Sequence, residues 1–227
     1  MNNTAIHVYI IVEGRTEQAF IRKVLAPYMG EKGIFFYPEL IGNSGHKGGN
    51  VRFDRALKDI GVFLKQRKDT FVSTMFDYFQ IDKNWPGRGK IKGGISLIAG
   101  QKAEFLETAM AEKVIEEFPI YNPKNRFIPY IQMHEFEALL FSNASVLSDA
   151  IDVSQKQIEE IINRYNDPEE INDGPKTAPS KRLKALNRRY IKTSYGELIS
   201  FAIGIDNIRS KCPHFNHWLT TFEKIIR

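Results

Sequence analysis

The stretch His7-Val8-Tyr9-Ile10-Ile11-Val12, followed at once by Glu13-Gly14-Arg15-Thr16-Glu17, most restricts what this chain can become. A short run rich in β-branched residues reads as a strand buried on both faces, the habit of parallel sheets. Beyond the turn, Phe20, Ile21, Val24, Leu25 and Tyr28 recur at helical spacing. An amphipathic helix therefore opens at Thr16-Glu17. Strand, tight turn and helix in that order predict an α/β chain. Glu13 then stands at the carboxyl end of a strand, where open α/β sheets bind their ligands. Acids are seldom buried without a partner. Glu13 reads either as a carboxylate serving the helix start, where the dipole favours it, or as a metal or acid–base group on the rim. Gly14 suits a sharp turn or the close approach of a ligand.

The pattern recurs along the chain. Residues 33–40 read as a second strand with Pro38 marking an irregular end. A helix is expected over 52–68, through Phe53, Ala56, Leu57, Ile60 and Leu64. The third strand, 71–76, also ends in an acid, Asp77, and a helix is expected over 103–118. The fourth strand, 126–133, runs into His134-Glu135-Phe136-Glu137. If that strand continues, Glu135 and Glu137 share a face. If a helix starts at His134, His134 and Glu137 share one. Both glutamates are retained as site candidates. The expected architecture is a parallel four-stranded sheet in residues 1–142, with helices on both faces. A mostly helical segment, 143–227, packs against it, with Ser154 and Gln157 forming a capping-box signal.

Hydrophobic residues at 42% and charged residues at 26% suit a soluble globular chain and exclude a disordered or fibrous one. No apolar run approaches the roughly 20 residues that cross a bilayer. One cysteine, Cys212, excludes an internal disulfide framework and gives no sign of export, so a cytoplasmic location is expected. Cys212-Pro213-His214 reads as a turn with a buried thiol, there being no second cysteine at metal spacing. The net charge of +5 is mild, but its distribution is uneven. Residues 83–102 carry Lys83, Arg88, Lys90, Lys92 and Lys102 without an acid. Residues 176–192 carry Lys176, Lys181, Arg182, Lys184, Arg188, Arg189 and Lys192, again without one. A long basic loop over 83–102 would track a phosphate backbone, with Trp85 stacking a base. Lys181, Lys184 and Arg188 would line one side of a helix over 181–189. The glycine-rich segment 42–50 with Lys47 lacks P-loop spacing and reads as a surface loop.

The run Val12-Glu13-Gly14-Arg15-Thr16-Glu17 resembles the first motif of Toprim domains, the module of topoisomerases, primases and OLD nucleases. The chain as a whole resembles the bacterial Toprim-like family DUF4276. The resemblance extends through His134-Glu135-Phe136-Glu137-Ala138-Leu139-Leu140-Phe141, Thr177-Ala178-Pro179-Ser180-Lys181-Arg182-Leu183 and Lys211-Cys212-Pro213-His214-Phe215. It implies a Toprim-like sheet with Glu13, Asp77 and an acid from Glu135 or Glu137 gathered on one rim. Toprim domains carry an Asp-x-Asp pair where this chain has Asp77-Tyr78-Phe79-Gln80-Ile81-Asp82. The second acid is missing, and Asp82 is the substitute offered further along.

Carboxylates without a Cys/His set favour Mg²⁺ or Mn²⁺ over zinc. Such a site supports phosphodiester hydrolysis, with Arg15, Lys47, Lys83, Arg88, Lys90, Lys181, Arg182, Lys184 and Arg188 as the candidates for holding nucleic acid, DNA before RNA. Resemblance to OLD nucleases implies a separate ATPase partner and a place in bacterial defence. The chain itself has no Gly-x-x-x-x-Gly-Lys-Ser/Thr sequence. The alternative is a catalytically degenerate Toprim fold that binds nucleic acid or a nucleotide, or regulates a partner. A small-phosphate hydrolase would instead need a closed pocket.

Overall fold

The computed structural model describes residues 5–42, 51–91, 97–172, 174 and 176–225. Strand β1 (Ile6–Val12) leads through Glu13 and Gly14 into helix α1 (Arg15–Phe20). That helix runs on through a π-helical turn (Ile21–Leu25) into α2 (Ala26–Gly30). Strand β2 (Ile34–Leu40), helix α3 (Phe53–Gln66) and strand β3 (Phe71–Asp77) follow. Helices α4 (Arg88–Ile91), α5 (Ala99–Glu117) and α6 (Pro123–Arg126) precede the short strands β4 (Phe127–Ile128) and β5 (Ile131–Gln132). The remainder is helical: a 3₁₀ segment (Phe136–Ser142), α7 (Ala144–Ile151), α8 (Gln155–Ile162), α9 (Pro179–Leu186), α10 (Lys192–Ile203), α11 (Ile205–Lys211) and α12 (Pro213–Ile225).

All strand pairs are parallel, in the order β2-β1-β3-β4, with β5 also on β3. Because side chains alternate along a strand, β1 feeds two cores. Ile6, Val8, Ile10 and Val12 pack with the first helix and the C-terminal helices, whereas Ile11 packs with α3 and α5. Helix α12 joins the first core through Phe215, Trp218, Leu219 and Phe222, a helical i, i+3, i+4, i+7 set. Each such side chain contributes about 1.5–3 kcal/mol on full burial.

The expected fourth strand is broken. Pro129 has no amide to continue the ladder, so β4 and β5 are two pieces of one edge. Side chains of β3 take over the lost bonds. Ser73 Oγ donates to the Ile128 carbonyl at 2.5 Å. Thr74 Oγ1 donates to the Tyr130 carbonyl and accepts from its amide, both at 3.0 Å.

Two helix boundaries also depart from expectation. Helix α5 begins at Ala99 rather than 103, because Gln101 Oε1 accepts from the Ile98 amide at 3.3 Å and Glu170 Oε1 from the Ala99 amide at 2.7 Å. Those caps satisfy donors that a helix start leaves open. The basic helix begins at Pro179, a favoured first position, and stops at Leu186. There Asn187 donates to the Ile151 carbonyl at 2.6 Å and accepts from the Arg189 amide at 2.8 Å. The chain turns away, and Arg188 leaves the stripe expected of Lys181 and Lys184. The Ser154–Gln157 signal holds at the start of α8, where the Ser154 amide donates to Gln157 Oε1 at 3.1 Å. Cys212 is buried between α11 and α12, its Sγ 3.3 Å from Ser142 Oγ. Among the described residues no helix is long and apolar enough to cross a membrane.

Candidate functional site

Parallel strands in register bring their ends to one rim. Val12 pairs with Met75, so the residues after β1 and at the end of β3, Glu13 and Asp77, are neighbours. The Asp77 amide hydrogen-bonds the Glu13 carboxylate. Asp77 is buried, and its Oδ1 accepts from the Phe136 amide at 2.9 Å. That bond draws the segment after β5 over the rim. Glu135 is extended there and Glu137 lies in the first turn of the 3₁₀ segment. Both are buried, so the site takes both acids. Glu135 Oε2 accepts from the Ser180 amide at 2.9 Å, tying it to the first turn of α9.

Glu17 joins them, buried one helical turn past Glu13. Gly14 makes room for it. The glycine is extended (φ −141°) and needs no special conformation, but a Cβ there would lie 3.0 Å from Glu17 Oε2. The counter-charge comes from far along the chain. Lys192, first residue of α10, places Nζ 3.0 Å from Glu137 Oε2, 3.3 Å from Asp77 Oδ2 and 3.7 Å from Glu17 Oε1.

Lys192 stands among Glu17, Asp77 and Glu137, with Glu13 and Glu135 close by, and the titration of Glu13, Asp77, Glu137 and Lys192 reflects this crowding. Burial first, then Glu17, pushes Glu13 up to about 7, against Lys192 and the Asp77 amide. Burial lifts Glu137 to about 7 and Asp77 well above the usual carboxylate range. Burial opposes charge on Lys192, but Asp77, Glu137 and Glu17 hold it far above the ordinary lysine value. Glu13 Oε2 and Glu137 Oε1 are buried without a hydrogen bond. So is the Tyr190 hydroxyl, whose pKa is raised by burial and then by Glu137. Among the described residues, no three acid, imidazole or thiol side chains are disposed about one metal position.

The other residues singled out in the sequence are spread more widely. Asp82 Oδ1 accepts from the Asn84 amide at 3.1 Å, a turn bond beyond the rim. Arg15, Lys83, Lys90, Lys181, Lys184 and Arg188 are exposed. Arg88 and Arg182 have structural partners. Arg88 donates to the Tyr78 carbonyl at 2.8 Å and lies over its ring. Arg182 donates to the Thr177 carbonyl and the Tyr165 hydroxyl, each at 2.6 Å. Trp85, read as a stacking residue of a loop, is instead buried between Phe53 and Phe76. Its segment is partly helical, not wholly loop, because that indole anchors it. Lys47 lies outside the described residues.

Glu17, Tyr190 and Lys192 escaped the sequence reading. Glu17 had a signal, since an acid four residues after Glu13 faces the same side of a chain entering a helix. Lys192 looked like one more member of a basic stretch.

A parallel α/β sheet with buried carboxylates collected around a lysine at its carboxyl rim defines an acid-rimmed α/β protein. The profile of a domain of unknown function, DUF4276, matches residues 12–223, and the chain belongs to that family. No curated protein matches the chain significantly, and neither does any solved structure.

Proposed function

We propose that this protein hydrolyses phosphodiester bonds in nucleic acid, DNA before RNA, with Mg²⁺ or Mn²⁺ at the acid rim. The observation that carries this reading is the gathering of Glu13, Glu17, Asp77, Glu135 and Glu137 where the sheet's strands end. The donor set suits a hard cation. It offers oxygens only, and Glu13 Oε2 and Glu137 Oε1 have no hydrogen bond to give up.

Glu13, Asp77, Glu135 and Glu137 would hold the ion, which when bound neutralises phosphate charge and lowers the pKa of water. Lys192, a third exposed, turns outward to follow a phosphate oxygen. Alternatively Glu13 stays off the ion, and its pKa of about 7 then lets it take or give a proton at neutral pH. Arg15 beside Glu13-Gly14 and Lys181 beside Ser180 hold the adjacent phosphates, with Lys83, Lys90, Lys184 and Arg188 as outer charge. The Toprim-like motif supports the same chemistry. Resemblance to OLD nucleases adds a separate ATPase partner and a role in bacterial defence, and the single cysteine, Cys212, a cytoplasmic setting.

A second reading, a degenerate binding or regulatory module, draws on two contacts. Asp82 serves a turn, and Lys192 already neutralises Asp77 and Glu137. Incubation of plasmid and single-stranded DNA with Mg²⁺ or Mn²⁺, beside Glu13→Gln and Asp77→Asn, separates the two. Cleavage lost in both folded variants supports the nuclease. Cleavage that survives both sinks it, and wild-type inactivity without metal binding by calorimetry favours the module.

A further inference from the structure

One buried polar group beside the acid rim has no part in the chemistry above: the hydroxyl of Tyr190. The residue is 2% exposed, and its oxygen makes no hydrogen bond. A buried tyrosine hydroxyl ordinarily has a partner. Phenylalanine would fill the same space beside Tyr195, at a ring separation of 5.5 Å, with no desolvated O–H left open.

The backbone fixes the direction of this side chain. Ile191 is extended, at φ −121° and ψ 112°, and is 56% exposed. Side chains on either side of an extended residue leave the chain in the same direction. Tyr190 therefore turns inward with Lys192, whose Nζ is 3.0 Å from Glu137 Oε2. Burial and then Glu137 raise the pKa of the hydroxyl, with smaller effects from Lys192 and Glu135. Among these charged neighbours the acceptor for its proton follows by elimination. An ammonium has no lone pair to offer, and Glu135 already accepts from the Ser180 amide. Glu137 Oε1, buried and without a hydrogen bond, is open.

We propose that Tyr190 is the positioning residue of Glu137, its hydroxyl donating to that carboxylate once a divalent cation has displaced Lys192 from it. The inference rests on the acid rim being a cation site. The exchange of partners has a physical reason. An ammonium repels the incoming cation, whereas a hydroxyl adds no charge. A carboxylate with one oxygen on the ion and the other hydrogen-bonded is held in a single orientation. Tyr190 would thus keep its open hydroxyl, at a cost in the metal-free fold, for the ion-bound one.

Titration calorimetry of the full chain with Mn²⁺, beside Tyr190→Phe and Tyr195→Phe, tests this. Affinity should fall about tenfold or more in Tyr190→Phe and stay unchanged in Tyr195→Phe. Urea unfolding in EDTA is the companion measurement. The midpoint of Tyr190→Phe should equal or exceed that of wild type, because the hydroxyl removed makes no bond there. A lower midpoint would show that the hydroxyl serves the fold, and overturns the proposal. Equal Mn²⁺ affinity in wild type and Tyr190→Phe overturns it while leaving the cation site intact. An equal loss in Tyr195→Phe would assign the effect to the packing of the two rings and likewise overturn it. Wild type that binds no Mn²⁺ removes the cation site and this role of Tyr190 together.

Discussion

Lys192 Nζ lies 3.0 Å from Glu137 Oε2, although the lysine opens a late helix and the glutamate follows the sheet's edge strand. The same ammonium reaches Asp77 and Glu17, so one side chain of the C-terminal helices neutralises acids from three other elements. Removing one partner of a buried charge set costs more than the set itself is worth, because the rest are left uncompensated. Lys192→Met is expected to lose about 1–3 kcal/mol, less than for a fully buried pair because this lysine is partly solvated. Urea unfolding measures it. Mn²⁺ should restore more stability to the variant than it adds to wild type. Equal metal effects would mean that lysine and metal do not share the site.

Stability should fall as pH rises through neutrality. Burial lifts Glu169 to about 7 from 4.5, so the folded state binds more protons than the unfolded one between those values. Its contribution is complete below 4.5 and lost as pH rises through 7. Burial opposes charge on His214, but Glu107 prevails and raises it above 6.5. That contribution is present below 6.5 and lost as pH passes the folded value. Glu13 and Glu137 act with the same sign. Each group adds a slope of at most about 1.4 kcal/mol per pH unit. Urea midpoints from about pH 5 to about pH 8 should decline, and less steeply in His214→Asn. A rising profile would show that these groups are ionised differently.

The acid limb has the opposite sign and another owner. Arg209, and then Lys32 against some burial, hold Glu223 down to about 2, with Arg209 Nη1 2.6 Å from its Oε1. Stability from this pairing is present above 4.5 and lost as pH falls toward 2. Glu223→Gln should unfold at lower urea than wild type near neutrality and converge with it at about pH 2. A constant gap across that range would point to packing rather than charge.

The central half of this architecture was legible because local pattern and tertiary role coincide there. Strands β1 and β3 are apolar runs stopped by Glu13 and Asp77, and parallel pairing makes neighbours of residues at strand ends. Glu135 and Glu137 were legible as a pair but not in geometry. Extended backbone at Glu135 followed by a 3₁₀ turn satisfies neither simple periodicity. Lys192 was not legible as a site residue, since its role depends on the packing of α10 against α1 and the 3₁₀ segment. Trp85 shows the converse error. A tryptophan among lysines and glycines suggests an exposed platform, yet its indole fills a gap between Phe53 and Phe76.

That packing of α10 rests on Gly196. A Cβ there would lie 2.9 Å from both Phe136 Cε1 and Thr16 Cγ2. These two neighbours flank the acids, since the Phe136 amide holds Asp77 and Thr16 precedes Glu17. In an open helix, alanine in place of glycine stabilises by about 1 kcal/mol. At this crossing overpacking outweighs that gain, and Gly196→Ala should lose about 1–2 kcal/mol net. Gly100, in the first turn of α5, is the matched control, because nothing lies within 4 Å of its added Cβ. Gly100→Ala should be neutral or stabilising. If Gly196→Ala also shifts α10, it carries Lys192 away from Glu137, and Mn²⁺ affinity changes in this variant but not in the control. Equal stability of the two variants would mean that the α10 crossing yields without cost and does not set the position of Lys192.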